Sequence, residues 1–279
     1  MLKALFRDIL TQRKRSAGAA AVDKSAPTVP SPQRAGNPLD VEIPLLGGTA
    51  NPRQPIDYER VAYYMAAWGS ARYLTDNMAT ATNFPDSRSL MTYALEQAKN
   101  TGLVLEFGVF RGDSLRLMAQ HAGQRVHGFD SFEGLPEDWT YFQKKGRFSL
   151  NGIVPVFSEK NIELHPGWFD QSLPKFLLRE QDMVRLLHID CDLYSSTVSV
   201  LAGLRERICA GTIVVFDEYL NYPSWEQHEY KAFAEFAKRW QCTYEYIGFV
   251  SSGHAVALRI NSIAAYEQQP RSQSRATAS

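Results

Sequence analysis

A chain of 279 residues with 30 basic and 30 acidic side chains, 44% hydrophobic and 22% charged, has ordinary globular proportions, which exclude a collagen-like, wholly disordered or single-composition repeat protein. Its formal net charge of zero leaves no electrostatic footprint for general nucleic-acid binding. The three cysteines, Cys191, Cys209 and Cys242, form no CxxC pair, which argues against a cysteine-zinc site or a disulfide framework and fits a reducing cytoplasm.

No apolar run reaches the roughly 18 residues of a membrane span. The first residues also lack the apolar stretch and cleavage site of a secretory signal, so a cytoplasmic location is expected. Residues 1–16 place Leu2, Leu5, Phe6, Ile9 and Leu10 on one helical face beside five basic side chains and Asp8. Such a helix suits a membrane surface or a partner, and equally a frayed or self-packed terminus. Seven prolines between residues 17 and 55 read as a flexible linker, and residues 262–279 as a disordered tail. The folded domain is therefore expected over residues 56–261.

Within it, the spacing predicts helices over Asp57–Leu74 and Ser87–Lys99, the second capped by Asp86 or Ser87. Short apolar runs then alternate with helical segments. Strands are expected at 103–107, 126–130, 162–164, 184–190 and 212–216, with helices at 114–121, 172–180, 196–208 and 225–240. Two closing strands, 243–250 and 255–260, flank a short turn and must run antiparallel to each other. Continuous apolar strands alternating with helices imply right-handed crossovers and a parallel sheet buried on both faces. The expected fold is thus α/β, a doubly wound, mostly parallel sheet with a C-terminal antiparallel hairpin at one edge. Ligands of such sheets bind at the carboxyl ends of the strands.

Those ends are acidic. The first strand leads into Glu106-Phe107-Gly108 and on to Gly112, Asp113 and Ser114; the second ends in Asp130; the fourth in Asp190 and Asp192; the fifth in Asp217 and Glu218. Gly108 and Gly112 would let backbone approach a ligand, but Glu106 stands where a dinucleotide fingerprint has its first glycine, and a carboxylate there repels a pyrophosphate. Asp130 stands where an α/β sheet keeps the acid for ribose hydroxyls; a turn or helix cap is its other reading. A ligand with a ribose, a cationic amine and no phosphate is S-adenosylmethionine. Three carboxylates on adjacent strand ends supply hard oxygen ligands suited to magnesium or calcium.

The turn from Glu106 to Ser114, the run GFDSFEGLP at 128–136, GWFDQSLP at 167–174 and DCDLYSST at 190–197 resemble the macrocin O-methyltransferase family, over roughly residues 57–260. That resemblance implies a class I, Rossmann-like methyltransferase fold, S-adenosylmethionine and Mg²⁺ as cofactors, and a sugar hydroxyl as acceptor. It implies that Glu106, Gly108 and Ser114 face the methionine end of the cofactor, Asp130 the ribose, and Gly167 and Trp168 the adenine. It also implies a metal site of Asp190, Asp217 and Glu218. The chain departs from the family's two consecutive aspartates by placing Glu218 second, which makes Asp192 a substitute ligand.

Asp190 is the first candidate for a general base and His254, in the final hairpin turn, the other; His188 is expected to turn into the sheet. The long segment 134–160, with Trp139, Tyr141, Phe142, Phe148 and Phe157, reads as a lid or acceptor surface. Its aromatic side chains, like those of the first helix, also suit contacts between copies of the chain. Two rival functions are an NAD-dependent α/β oxidoreductase and a non-catalytic cofactor-binding scaffold.

Overall fold

The structure, a computed structural model, describes residues 57–264. The expected basic helix at the start of the chain, the proline-rich linker and the tail beyond residue 264 lie outside the described residues.

Helix α1 (Tyr58–Asn77) starts where Asp57 caps it, accepting from the backbone N–H of Glu59 at 3.1 Å and of Arg60 at 3.3 Å. The same device opens α2 (Ser87–Gln97), where Asp86 accepts from Ser89 N at 2.8 Å. Between them lies β1 (Thr82–Asn83), two exposed residues with no hydrophobic pattern to announce them. The chain continues through β2 (Leu103–Phe107), α3 (Asp113–His121), β3 (Val126–Asp130), β4 (Ile162–Pro166), α4 (Phe169–Leu177), β5 (Val184–Ile189), α5 (Tyr194–Gly203), β6 (Ile213–Phe216), α6 (Glu229–Arg239), β7 (Thr243–Phe249) and β8 (Val256–Ser262).

The eight strands form one sheet in the order β1-β7-β8-β6-β5-β2-β3-β4. Only β8 runs antiparallel to its neighbours, pairing with β6 on one side and β7 on the other. The final hairpin is therefore present but is not the edge, because β1 pairs in parallel outside β7. From the centre the chain winds outward through β2, β3 and β4, then crosses back to β5 and β6. The winding reverses between β2 and β5, so the crevice for a ligand lies beyond Phe107 and Ile189.

Alternation along the strands builds two cores. Val104, Leu186, Val126, Ile213 and Val215 pack beneath α2 and α3 with Leu90, Leu95, Leu115 and Met118. Leu105, Phe107, Phe129, Leu187, Ile189 and Phe216 pack on the opposite face with Phe176, Leu201 and Phe233 from α4, α5 and α6. Each fully buried side chain of this size contributes about 1.5–3 kcal/mol. Among the described residues no helix is long and apolar enough to cross a membrane.

Three helix boundaries differ from expectation for local reasons. In α4, Ser172 is not a cap; its hydroxyl donates to Trp168 O at 3.1 Å, so the helix begins at Phe169. In α5, Thr197 donates to Leu193 O at 2.9 Å, which moves the start to Tyr194. The helix expected over 225–240 is broken into a 3₁₀ turn at Trp225–Gln227 and α6, with His228 non-helical at φ −114° and ψ −122°.

Gly108 fixes how closely the two central strands exit. Its φ is +94°, and a Cβ there would lie 1.6 Å from the carbonyl oxygen of Asp190. The Gly108→Ala variant is expected to lose at least about 3 kcal/mol in a urea melt; a loss below about 0.5 kcal/mol, ordinary for a surface change, would show that the strands need not exit this closely.

Candidate functional site

A cavity of about 280 Å³ opens at the reversal point, lined by Gly108, Asp130, Trp168, Asp190, Asp217 and Glu218 among others. Asp130, at the end of β3, reaches across to the turn after β2. Its Oδ2 accepts from the N–H groups of Val109 and Phe110, both at 2.8 Å, and its Oδ1 from Phe132 N at 2.7 Å. A carboxylate has about four acceptor positions, so Asp130 clamps the glycine turn and keeps spare capacity toward the cavity. The turn-cap reading of this residue is realised, and the same side chain borders the cavity.

The opposite wall is acidic. Carboxylate oxygens of Asp190, Asp192 and Glu218 lie within 4.8 Å of one another. Asp217 borders the same cavity beside this trio without belonging to it. Asp192 has a left-handed backbone at φ 62°, a strained conformation that aspartate tolerates better than most residues.

A fifth acid holds the wall in place. Glu229, fully buried in the first turn of α6, accepts from Cys191 N at 3.3 Å and Asp192 N at 3.2 Å through Oε1, and from Glu218 N at 3.2 Å through Oε2. It ties the exits of β5 and β6 to each other. The break at His228 sets this carboxylate at the start of a helix that would otherwise have run through it.

Crowding raises the proton affinity of the group. Burial, then the charges of Asp217 and Asp192, push Asp190 well above the usual carboxylate range. Burial and the charge of Asp217, with a hydrogen bond to Glu218 in opposition, bring Asp192 to about 6. Glu218 and Glu229 are also raised, first by burial and then by neighbouring acids. Glu218 Oε2 is buried and has no hydrogen-bond partner among the described residues. Such an arrangement calls for protons or a cation.

Behind this wall a second cavity of about 350 Å³ is lined by Ser87, Arg88, Asp113, Ser114, His188, Asp190 and Asp217, among others. Glu106 is fully buried, and His188 Nδ1 donates to its Oε1 at 2.8 Å. His188 is thus a buried histidine with a carboxylate partner, and it also borders the second cavity. Burial alone would lower its pKa, but the bond to Glu106 and the charges of Glu106 and Asp217 carry it upward overall.

The long segment between β3 and β4 roofs the first cavity. Residues 131–161 contain no helix or strand, yet backbone bonds such as Leu150 N to Phe132 O at 3.0 Å and Gly146 N to Leu135 O at 2.9 Å hold them. Gly134, Leu135, Pro136 and Phe148 face the cavity, and Ser195 ties the roof down by donating to Glu137 at 2.6 Å. Tyr141, Ile153 and Val156 remain exposed on its outside.

Of the residues singled out from the sequence, Gly108, Asp130, Trp168, Asp190, Asp217 and Glu218 meet in the first cavity. Ser114 lines the second. Glu106 lies beneath, held by His188. Gly112, at φ +79°, makes room for the Phe157 ring rather than for the first cavity, since a Cβ there would lie 2.3 Å from it. Gly167 turns the chain ahead of Trp168, with its N–H donating to Asp130 O at 2.9 Å. His254 borders neither cavity; its Nδ1 donates to Leu220 O at 3.0 Å, and its own carbonyl accepts from Tyr219 and Leu220, bracing the loop after β6. Glu229 was not expected: an acid in a helix's first turn is commonplace, and nothing in its spacing marks what it touches.

Comparison with known proteins agrees with this architecture. A family model described as Macrocin-O-methyltransferase (TylF) matches residues 89–242. The 8-demethyl-8-(2,3-dimethoxy-alpha-L-rhamnosyl)-tetracenomycin-C 4'-O-methyltransferase of Streptomyces olivaceus is 34% identical over 143 residues, 42% of this chain and 53% of that protein. The demethyldecarbamoylnovobiocin O-methyltransferase of Streptomyces niveus is 28% identical over 145 residues, 44% of this chain and 54% of that protein. The chain thus spans about half the length of the curated relatives it matches. The crystal structure of the calicheamicin methyltransferase CalS11 superposes with a TM-score of 0.50 at 21% identity, covering 76% of this chain and 98% of that one. The fold is that of class I methyltransferases.

The role of Glu229 is open to test by substitution. Glu229→Ala strands three amide donors and is expected to cost about 3 kcal/mol or more, at roughly 1–3 kcal/mol for each unsatisfied group. Glu229→Gln, which keeps the shape but turns one acceptor into a donor, is expected to cost less. Urea melts followed by tryptophan fluorescence measure both; a loss below about 0.5 kcal/mol for Glu229→Ala would rule out the clamp.

Proposed function

The chain belongs to the macrocin O-methyltransferase family, whose match spans more than half of its 279 residues, and from that premise we propose that it is an S-adenosylmethionine-dependent O-methyltransferase acting on a hydroxyl of a sugar or glycosylated natural product, assisted by Mg²⁺. The observation that carries this reading is the first cavity itself, which brings Asp130 and Trp168 together with Asp190, Asp192, Asp217 and Glu218.

The residues present fit both groups. Phe148 and Trp168 offer flat apolar surfaces for a purine with Leu135 beside them, Asp130 retains acceptor capacity for ribose hydroxyls, and the acids favour a sulfonium and an amine. The carboxylate trio offers hard oxygen donors, one of them the unpartnered Glu218 Oε2, and its raised proton affinities mark a missing positive charge. Asp190, Asp192 and Glu218, with Asp217 beside them, would hold the ion. When bound, a divalent cation lowers the pKa of a hydroxyl next to it and neutralises the surrounding acids.

The chain's own residues do the remainder. Three amides hold Asp130 in one orientation, so little is lost in ordering it against the ribose. The roof over residues 131–161 keeps water from an electrophilic methyl group. The acceptor oxygen must stand about 3–3.5 Å from the methyl carbon, opposite the sulfur. The oxygen–carbon bond forms, the sulfur–carbon bond breaks with its electron pair left on sulfur, and the hydroxyl proton passes to the acidic wall. Asp190, as base or as an ion ligand beside the base, is the first candidate to receive it, because it borders both cavities. His254, engaged with Leu220 outside both cavities, is not placed for that step.

Both curated relatives are named as O-methyltransferases, and the name of the Streptomyces olivaceus protein describes a rhamnosylated compound. That similarity, together with the apolar roof, supports a glycosylated acceptor.

Titration calorimetry with S-adenosylhomocysteine and with NAD separates this reading from an oxidoreductase. Binding of the first and not the second is expected, and tight NAD binding alone would sink the proposal. Asp130→Asn is expected to weaken S-adenosylhomocysteine about 10- to 100-fold, the equivalent of one or two charge-assisted hydrogen bonds. Unchanged affinity would remove the ribose assignment.

The acidic wall also gives a pH signature. Carboxylates with raised folded-state pKa bind more protons folded than unfolded, so their contribution to stability falls as pH rises from about 4 through 6 and beyond. A cation in their midst reverses that loss. Mg²⁺ is expected to raise the melting temperature by several degrees at pH 8 and by far less at pH 5; an equal effect at both would contradict a carboxylate cation site.

A further inference from the structure

The outer strands of the sheet carry a second cluster that the proposed reaction does not use. His127 on β3 and Glu163 on β4 are direct cross-strand partners, and His165 follows two residues after Glu163. The alternation of a strand puts 163 and 165 on one face. All three side chains converge there: His127 Nδ1 and His165 Nε2 are 3.1 Å apart, and the Glu163 oxygens lie 3.9 Å from each ring nitrogen. The two histidines are buried, while a third of the Glu163 side chain is exposed, which leaves a path from solvent. None of the three borders the acidic cavity.

We propose that His127, Glu163 and His165 form a metal site for a borderline divalent transition ion such as zinc, distinct from the acidic site for a hard cation.

The chemistry differs from that of the acidic wall. Two imidazole nitrogens and one carboxylate are a donor set for zinc, cobalt or nickel, whereas magnesium takes oxygen. Two nitrogens bound to a tetrahedral ion at about 2.0–2.1 Å stand about 3.3 Å apart, close to the separation found here. Without metal, one of the facing nitrogens must carry a proton and donate it to the other. An ion takes the place of that proton. Arg125 holds Glu163 Oε2 at 3.1 Å, which leaves Oε1, on the His165 side, to turn inward.

The surroundings suit a structural ion. His165 stacks on Phe129 at 4.6 Å and meets Phe176 edge-on, so its ring is already oriented. Burial lowers the proton affinity of both histidines, that of His165 to about 4, so protons do not compete for the nitrogens at neutral pH. A zinc ion here would pin β4, whose pairing is the last in the sheet, to β3, and so steady the Gly167-Trp168 turn that follows.

Equilibrium dialysis of the full chain against zinc, in excess Mg²⁺ to occupy oxygen sites, tests this directly. The wild type is expected to retain one zinc per chain. Glu163→Gln, a surface-accessible and conservative change, is expected to bind it at least tenfold more weakly. His165→Phe, which keeps a ring between Phe129 and Phe176, is expected to lose it. Cobalt in place of zinc is expected to show the visible absorption of a low-coordinate nitrogen-ligated ion in the wild type only. No zinc on the wild type, or equal zinc on both variants, would overturn the proposal, and neither result bears on cofactor binding.

Discussion

The arrangement rests on a concentration of buried carboxylates. Asp190, Asp192, Asp217 and Glu218 meet where β5 and β6 end, and Glu229 stands directly behind them. Like charges at such distances in a partly dry setting are expensive. They persist because backbone amides hold the loops that carry them. Glu229 takes three N–H groups from the exits of both strands, and the left-handed backbone of Asp192 is fixed by one of them. One buried acid thereby positions its neighbours, while burial first and then the surrounding charges raise the proton affinities of Asp190 and Glu218.

The fold puts this charge in a useful place. A doubly wound sheet leaves its crevice where the winding reverses, and here that is between β2 and β5. Gly108 lets the turn after β2 pass against the carbonyl of Asp190, and Asp130 holds the same turn from the far side. The walls of the cavity are thus coupled through a few backbone contacts. Its acids call for positive charge, and Phe148 and Trp168 offer flat apolar surface. A ligand that is cationic at one end and aromatic at the other matches both.

Much of this is legible in the residues because the signals are local. The buried strand Leu103–Phe107, the strand ending in Asp130 and the Asp86 cap follow from apolar runs and one capping side chain. The acids at the strand ends are likewise visible, since a strand's exit can be read from where its apolar run stops. What escapes is tertiary. β1 is two exposed residues whose partner, β7, lies 160 residues on, so no local pattern announces it. The hydroxyls of Ser172 and Thr197 bond backward inside their helices, which begin ahead of the expected 172 and 196. The role of Glu229 depends on a helix break at His228 that charge and periodicity do not reveal. Glu106 and Gly112 were drawn toward the ligand by their place in a motif, whereas the structure gives one a histidine partner and the other a phenylalanine ring.

Burial, and then mutual repulsion, raises the proton affinity of Asp190, Asp192 and Glu218, and a cation bound among them as proposed would displace their protons. Calorimetric titration of Mg²⁺ near pH 6.5, repeated in buffers of different ionisation enthalpy, counts the protons set free. The account predicts a measurable release that fades as the solution is made more alkaline. Binding without any proton release, or no binding at all, would contradict it.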